Sequence, residues 1–253
     1  MRLDEFLCER GYFDSRTKAK QAIERGEIIV NGTKVFKPAF LVSDNVVIER
    51  KFEEEYVSLG GFKLAKALKD FDFSVGNVCA ADIGASTGGF TDCLIKNGAR
   101  KVFAVDLNDG LLHEKLRKDD RVVSIIKNAK DLKRGDFSEK IDLIVADLSF
   151  ISATLVLPVF YNLLDADGTA ILLIKPQFEN GERQRFKNGI IRDAKVRMRA
   201  VKKIFDCAVE TGFSPVKITV APENKDKNTE YLLLLDKTKR QAVTFESFSV
   251  NIF

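Results

Sequence analysis

Nothing restricts the fold of this chain as strongly as an alternation that runs through residues 78–174. Apolar, strand-like runs at Val78–Ile83, Val102–Leu107, Val122–Ile126, Ile141–Leu148 and Ala170–Ile174 are separated by stretches of helical character. Strand and helix in that rhythm predict βαβ units and a doubly wound parallel sheet. The ending breaks the rhythm: Val216–Val220 and Glu230–Leu235 have no helix between them and read as an antiparallel pair. An α/β fold with a mostly parallel sheet closed by a hairpin is therefore expected.

The length of 253 residues, 45% of them hydrophobic, allows one large domain and one small one. The longest apolar runs, Ala170–Ile174 and Tyr231–Leu235, fall far short of the roughly 20 residues that span a bilayer. With no signal-peptide core at the N-terminus, a cytoplasmic protein without membrane contacts is expected. The four cysteines show no Cys-x-x-Cys pair, and His113 is the single histidine. Serine or cysteine triads, multi-histidine metal sites and disulfides thus have little support, and no metal is expected. A net charge of +4 leans towards an anionic partner, so the placement of the charges carries more information than their sum.

In the first segment, Leu3, Phe6 and Leu7 recur at helical spacing within Met1–Arg10, and Ser15 opens a second stretch, Arg16–Arg25, that stops at Gly26. Ile28–Val30, the turn pair Asn31-Gly32 and Lys34–Phe36 predict a hairpin. The second helix carries Arg16, Lys18, Lys20 and Arg25, with Lys34 and Lys37 following. Such a run fits a solvated helix face as well as a set of phosphate contacts. The charged stretch Glu49–Glu55 then interrupts the hydrophobic pattern. The expected organisation is a small α+β domain at 1–50, a linker at 51–57, a large domain at 58–240 and a tail at 241–253.

The run RLDEFLCERGYFDSRTKAKQAIERGEIIVNGTKV resembles the S4 RNA-binding domain in its ordering of Arg2-Leu3-Asp4, Ser15-Arg16, Ala19, Gly26 and Val30-Asn31-Gly32. That resemblance implies RNA contacts from Arg2, Arg16, Lys18, Lys20 and Arg25, mainly to phosphates.

Where the first strand of the large domain should turn into a helix stands Asp82-Ile83-Gly84-Ala85-Ser86-Thr87-Gly88-Gly89-Phe90. Glycines there admit a ligand close to the backbone, or simply allow a tight turn for packing. The spacing is not Gly-x-Gly-x-x-Gly and no Gly-Lys-Ser/Thr follows, which disfavours dinucleotides and P-loop nucleotides. Asp106 ends the second strand, where a carboxylate can accept both ribose hydroxyls of a nucleoside. The turn resembles motif I of S-adenosylmethionine-dependent methyltransferases, and DIGASTGGFTDCL is similar to the TlyA family. The resemblance implies a class I, Rossmann-like, seven-stranded fold with S-adenosyl-L-methionine as cofactor. It assigns cofactor contacts to Asp82, Gly84, Ala85, Ser86, Gly88, Gly89, Phe90, Asp106, Leu107 and Asn128. Within that set Gly84, Ser86 and Gly88 line the methionine side, Asp106 holds the ribose and Asn128 falls beside adenine.

The fourth strand ends in Asp147-Leu148-Ser149-Phe150, where methyltransferases of base amino groups place Asn/Asp-Pro-Pro-Tyr/Phe, so transfer to an exocyclic nitrogen is disfavoured. No Pro-Cys nucleophile motif supports C5 methylation. Lys175 in Ile174-Lys175-Pro176, Glu230 and Lys63 in Gly60-Gly61-Phe62-Lys63 are each ordinary when taken alone. Together Lys63, Asp147, Lys175 and Glu230 are similar to the Lys-Asp-Lys-Glu tetrad of FtsJ-like ribose 2′-O-methyltransferases, which TlyA proteins share. The likeness extends through YVSLGGFKL, DLSFIS, IKPQFE and NTEYLLLL. It implies methylation of a cytidine ribose in rRNA, the large subunit first. Two roles for Lys175 stay open: taking the hydroxyl proton, or orienting the hydroxyl while Asp147 and Glu230 fix the lysines.

Arg183–Lys203 is rich in cations, among them Arg183, Arg185, Lys187 and Arg192, and reads as an RNA-facing surface beside the site, or in part as a solvated helix face. The sequence departs from the family at Leu59, which stands where Ser-Arg-Gly-Gly is usual, and at Phe186-Lys187-Asn188-Gly189, which replaces Gly-Lys-Gly-Gly. The implied partner is rRNA or a ribosomal subunit, with no obligate protein partner. The family's haemolysin label supplies a membrane-active rival, and an RNA-binding protein without catalysis is a second.

Overall fold

Leu3, Phe6 and Leu7 share one face of helix α1 (Leu3–Glu9) and bury it against Ala19, Ala22 and Ile23 of α2 (Arg16–Glu24). This is a computed structural model, which describes residues 1–24, 26–50, 56–108, 110–179, 189–222, 227–238, 244–248 and 252. Strands β1 (Ile28–Val30) and β2 (Thr33–Lys34) pair through Ile29 with Lys34 and Val30 with Thr33. The turn between them places Asn31 at φ +48°, the left-handed conformation that a two-residue hairpin requires. A third strand, β3 (Ile48–Arg50), pairs with the other edge of β1, giving the order β2-β1-β3. It lies at the end of the small domain expected at 1–50, where no strand was expected. Three residues that include Glu49 are too few and too polar to register as an apolar run, and only the free edge of β1 recruits them.

Chain contacts separate Met1–Glu55 from Tyr56–Phe253. The second unit opens with α3 (Leu59–Phe71), β4 (Cys79–Ile83), α4 (Gly89–Lys96), β5 (Lys101–Asp106), α5 (Glu114–Arg117) and β6 (Val122–Ile126). It continues with β7 (Ile141–Ala146), α6 (Leu157–Leu163), β8 (Leu164–Ile174), α7 (Pro176–Glu179), α8 (Ala194–Thr211), β9 (Ser214–Val220), β10 (Tyr231–Asp236) and α9 (Phe245–Phe248). Seven strands form one sheet in the order β6-β5-β4-β7-β8-β10-β9. The five from β4 to β8 run parallel, while β10 is antiparallel to both of its neighbours.

Alternation along the strands feeds two cores, one on each face. Ile83, Phe103, Ile144 and Leu172 pack on one side, and Ala80, Val102, Leu143 and Leu173 on the other. Two expected boundaries shift. Tyr56 and Val57 are not linker: Tyr56 is buried in the second unit's core, and the Val57 N–H donates to the Asp92 carboxylate at 2.9 Å. Nor is the C-terminal segment only a tail, because Phe245 is buried against Phe205, with ring centroids 5.4 Å apart. Both segments are held by aromatic burial, which local polarity masks.

The strand order positions the site. The chain leaves β4 towards β5 on one side and later returns through β7 on the other, so the carboxyl ends of β4 and β7 flank a topological switch point.

Candidate active site

Gly84 follows β4 at φ +87°, and a Cβ there would lie 2.7 Å from the Asp147 carbonyl oxygen. Glycine is thus required where the turn after β4 crosses the end of β7. The N–H groups of Gly84 and Ala85 both donate to the Val105 carbonyl, and the Ser86 N–H donates to Asp106 Oδ2 at 2.9 Å. Asp106 Oδ1 accepts from the Leu107 N–H at 2.7 Å, so this carboxylate ties the glycine-rich turn to the end of β5. Leu107, Leu111 and Ile126 are large apolar side chains left exposed around it. Asp106 and Ile126 are register partners across β5 and β6.

Other expected cofactor residues hold different positions. Phe90 is buried in the core under α3 and α4, so any ligand contact from it is limited to its backbone. The Asn128 side chain accepts from the Lys130 N–H at 3.1 Å and caps a short 3-10 turn directly after β6. Asp82, at the end of β4, is fully buried. Its Oδ2 accepts from the Thr91 N–H at 2.8 Å and the Thr91 hydroxyl at 2.6 Å, while Oδ1 has no hydrogen-bond partner among the described residues. Burial pushes this carboxyl up to about 7, against the opposing pull of the two Thr91 hydrogen bonds.

Lys63, Asp147, Lys175 and Glu230 sit on four different elements that converge at the same sheet edge. Lys63 lies on α3, whose first turn approaches α4 closely because Gly89 lacks a side chain; a Cβ there would be 2.9 Å from the Gly61 nitrogen. Its Nζ is 2.6 Å from Glu230 Oε2. Tyr231 pairs with Ile174 in the β8–β10 ladder, which sets Glu230 and Lys175 opposite each other just past its end. Lys175 Nζ lies 2.5 Å from Asp147 Oδ1, an ion pair outside aligned hydrogen-bond geometry, and donates to Ser149 Oγ at 2.8 Å. An ammonium has three donors, and among the described residues only these two acceptors meet it.

Several participants were not singled out from the sequence, although Phe150, Ser152 and Glu179 fall within the DLSFIS and IKPQFE runs. Glu179 is buried on α7 and accepts from the Ser152 hydroxyl at 2.5 Å and the Ala153 N–H at 2.9 Å. It thereby ties the loop after β7 to the helix after Lys175. Burial raises its carboxyl above the ordinary range. Between those tethers Phe150 stands at φ +65° and is 91% exposed, its ring 5.1 Å from that of Phe178. A non-glycine residue in that conformation, presenting an aromatic ring to solvent, is a feature that functional sites retain. Arg197 points inward from the basic stretch, donating to the Tyr231 hydroxyl at 3.1 Å and to the Arg192 carbonyl at 2.8 Å. Asn228 Oδ1 accepts from the Ile191 N–H at 2.7 Å, and Arg192 itself is exposed beside this loop. Arg183, Arg185 and Lys187 lie outside the described residues, as does Arg25.

In the N-terminal unit the expected RNA contacts are exposed but paired. Arg2 and Arg16 both bind Asp4, Lys18 Nζ lies 2.9 Å from Asp14, and Lys20 lies 3.7 Å from Glu24. A count of cations therefore overstates the net field of this surface.

Residues 56–237 match the FtsJ-like methyltransferase family, and residues 1–48 match the S4 domain. The chain belongs to the FtsJ-like methyltransferase family. Its combination of S4 and FtsJ-like domains is that of TlyA proteins. It is 38% identical over 238 residues to the 16S/23S rRNA (cytidine-2′-O)-methyltransferase TlyA of Mycobacterium tuberculosis, covering 92% of this chain and 89% of that one. It is 46% identical over 239 residues to Hemolysin A of Brachyspira hyodysenteriae, covering 92% and 98%. A solved structure from Streptococcus thermophilus that carries the hemolysin label is 38% identical, with a TM-score of 0.72 over 94% of this chain and 88% of that one. The fold of this FtsJ-like unit is shared with an S-adenosylmethionine-dependent methyltransferase of Mesorhizobium loti, 14% identical, at a TM-score of 0.52 over 71% of this chain and all of that one. Among the described residues no helix is long and apolar enough to cross a membrane.

Proposed function

We propose that this protein methylates the 2′-hydroxyl of a cytidine ribose in ribosomal RNA, in the large subunit first, using S-adenosyl-L-methionine. The observation that carries the proposal is the Lys175 ammonium, held by Asp147 and Ser149 directly across the ladder end from the Lys63–Glu230 pair.

The residues beside this cluster fit the cofactor. The turn at Gly84 has no room for a side chain, Asp82 carries a buried oxygen without a partner among the described residues, and Asp106 offers a carboxylate flanked by exposed Leu107, Leu111 and Ile126. Asp82, Gly84, Ser86 and Gly88 would serve the methionine end, Asp106 the ribose, and the apolar side chains with Asn128 the adenine. When bound, S-adenosylmethionine supplies the activated methyl group.

The chain itself then has two tasks. Lys175 presents its remaining donor to the ribose oxygen, orienting the hydroxyl and meeting the negative charge that develops on it. Asp147, in contact with that ammonium, is the carboxylate through which a proton can leave. Lys63 and Glu230 fix the opposite wall. Phe150 offers an aromatic face on which a base can stack. The N-terminal unit and exposed cations such as Arg192 grip the RNA backbone, and an rRNA substrate implies a cytoplasmic location.

The test is to incubate the purified protein with radiolabelled S-adenosylmethionine and, separately, ribosomal subunits, naked rRNA and tRNA. Alkali-resistant 2′-O-methyl cytidine in large-subunit rRNA is the expected product. Cofactor binding without transfer to any of these RNAs would instead favour an RNA-binding role without catalysis.

A further inference from the structure

The N-terminal unit contains a buried carboxylate that no role in methyl transfer accounts for. Asp4, in the first turn of α1, has a side chain only 3% exposed. Arg2 grips it with two parallel hydrogen bonds, Nε to Oδ1 at 2.9 Å and Nη2 to Oδ2 at 3.0 Å. Arg16, from the start of α2, adds a third from Nε to Oδ2 at 3.0 Å. Arg16 Nη1 also lies 2.9 Å from Glu5 Oε1. Arg2 is thus held along its Nε–Nη2 edge and Arg16 through Nε and Nη1, while the two side chains remain 42% and 52% exposed.

Two arginines against Asp4 and Glu5 sum to no net charge, so simple attraction gives this cluster little pull on an anion. Its geometry gives more. The negative partner Asp4 is sunk in the unit while the arginine side chains reach solvent, and their remaining N–H groups are fixed relative to each other. A free arginine loses most of its side-chain freedom on binding, whereas one already held in a fork has lost it on folding. Planar, preoriented N–H pairs match the oxygens of a phosphodiester.

We propose that Asp4 is a positioning residue for RNA: it preorganises Arg2 and Arg16 as a rigid guanidinium pair for the sugar-phosphate backbone. The proposal rests on the RNA-modifying reading above and adds to it a counterintuitive sign. Removing a negative charge at Asp4 weakens binding to a polyanion.

Full-length protein and the Asp4→Asn variant are titrated by fluorescence anisotropy against a mixed-sequence RNA duplex at two salt concentrations, with cofactor affinity measured in parallel. The expected result is about tenfold weaker RNA binding and a shallower salt dependence, with cofactor affinity unchanged. Equal or tighter binding by Asp4→Asn, as charge alone dictates, overturns the inference. A thermal melt reports whether the substitution unfolds the N-terminal unit. In that event the double variant Arg2→Lys, Arg16→Lys decides, because it keeps both charges and loses the planar fork. A similar loss supports the inference, and unchanged affinity overturns it. Wild-type protein that binds no RNA at all would sink the RNA reading together with this inference, whereas failure of the variants alone leaves that reading standing.

Discussion

Among the buried carboxylates, Asp4 and Asp82 sit under opposite conditions. Asp4 in the N-terminal unit is met by two guanidinium groups, and the Arg2 and Arg16 hydrogen bonds pull its carboxyl down to about 2 against the cost of burial. Asp82 in the methyltransferase unit is hydrogen-bonded, among the described residues, by Thr91 on one oxygen with the other unpartnered, and is pushed up to about 7 by desolvation. The first arrangement is complete in itself and presents finished groups outward. The second leaves chemistry for a bound molecule to complete. The same contrast holds for the cations around them: Arg2 and Arg16 are braced for contact, whereas Lys175 keeps a donor in reserve at a sheet edge.

The contrast breaks most visibly at Lys175. Lys175→Ala should lower single-turnover methyl transfer about 10²- to 10⁴-fold, with RNA and cofactor affinities within a few fold of wild type. If the loss appears instead in RNA affinity, Lys175 belongs with the braced cations and the division between the units fails. Gly84→Ala comes next. The strained φ and the collision with the Asp147 carbonyl should cost roughly 1–3 kcal/mol, read as a lower denaturation midpoint together with weakened cofactor binding. An unchanged midpoint would mean that the turn after β4 is not tight.

The two carboxylates should also tilt stability with pH in opposite directions. Asp4 is depressed from 3.8, so its contribution is complete above about 4 and is lost as pH falls towards 2. Asp82 is raised from 3.8, so the folded unit holds its proton up to about 7, and stability declines as pH rises across that interval. Hydrogen exchange followed by mass spectrometry on peptides from 1–24 and 79–96 separates the two. Asp82→Asn should abolish the second slope and protect its unit relative to wild type at pH 8, with the two converging near pH 4. Two slopes of the same sign would erase the comparison. The smallest effect is expected at Glu179→Gln. Loosening the loop that carries Asp147, Ser149 and Phe150 should raise KM for RNA a few fold and leave cofactor affinity intact; a fall in cofactor affinity would give Glu179 a different role.

Much of this was legible in the chain itself. Residues Val78–Ile174 announce a parallel sheet because apolar runs buried on both faces must be continuous, and helical stretches must lie between them. The Asn31-Gly32 hairpin and the turn at Gly84 show for a local reason, since left-handed backbone selects few residue types. The four tetrad positions could be named from motifs, but not their partners. Ser149 on Lys175, Glu179 beneath the Phe150 loop and Arg197 on Tyr231 join residues from separate elements, and nothing in local composition distinguishes them from ordinary surface polarity. The cations of α2 show the same limit from the other side: the sequence displays their charge, and only the fold reveals that Asp4 lies between two of them. Sequence by itself determined which elements form and where glycine is compulsory, because those depend on neighbours along the chain. Which buried carboxylate is matched and which is left waiting depended on groups brought together from far along the chain, and that was decided only when the tertiary structure closed around them.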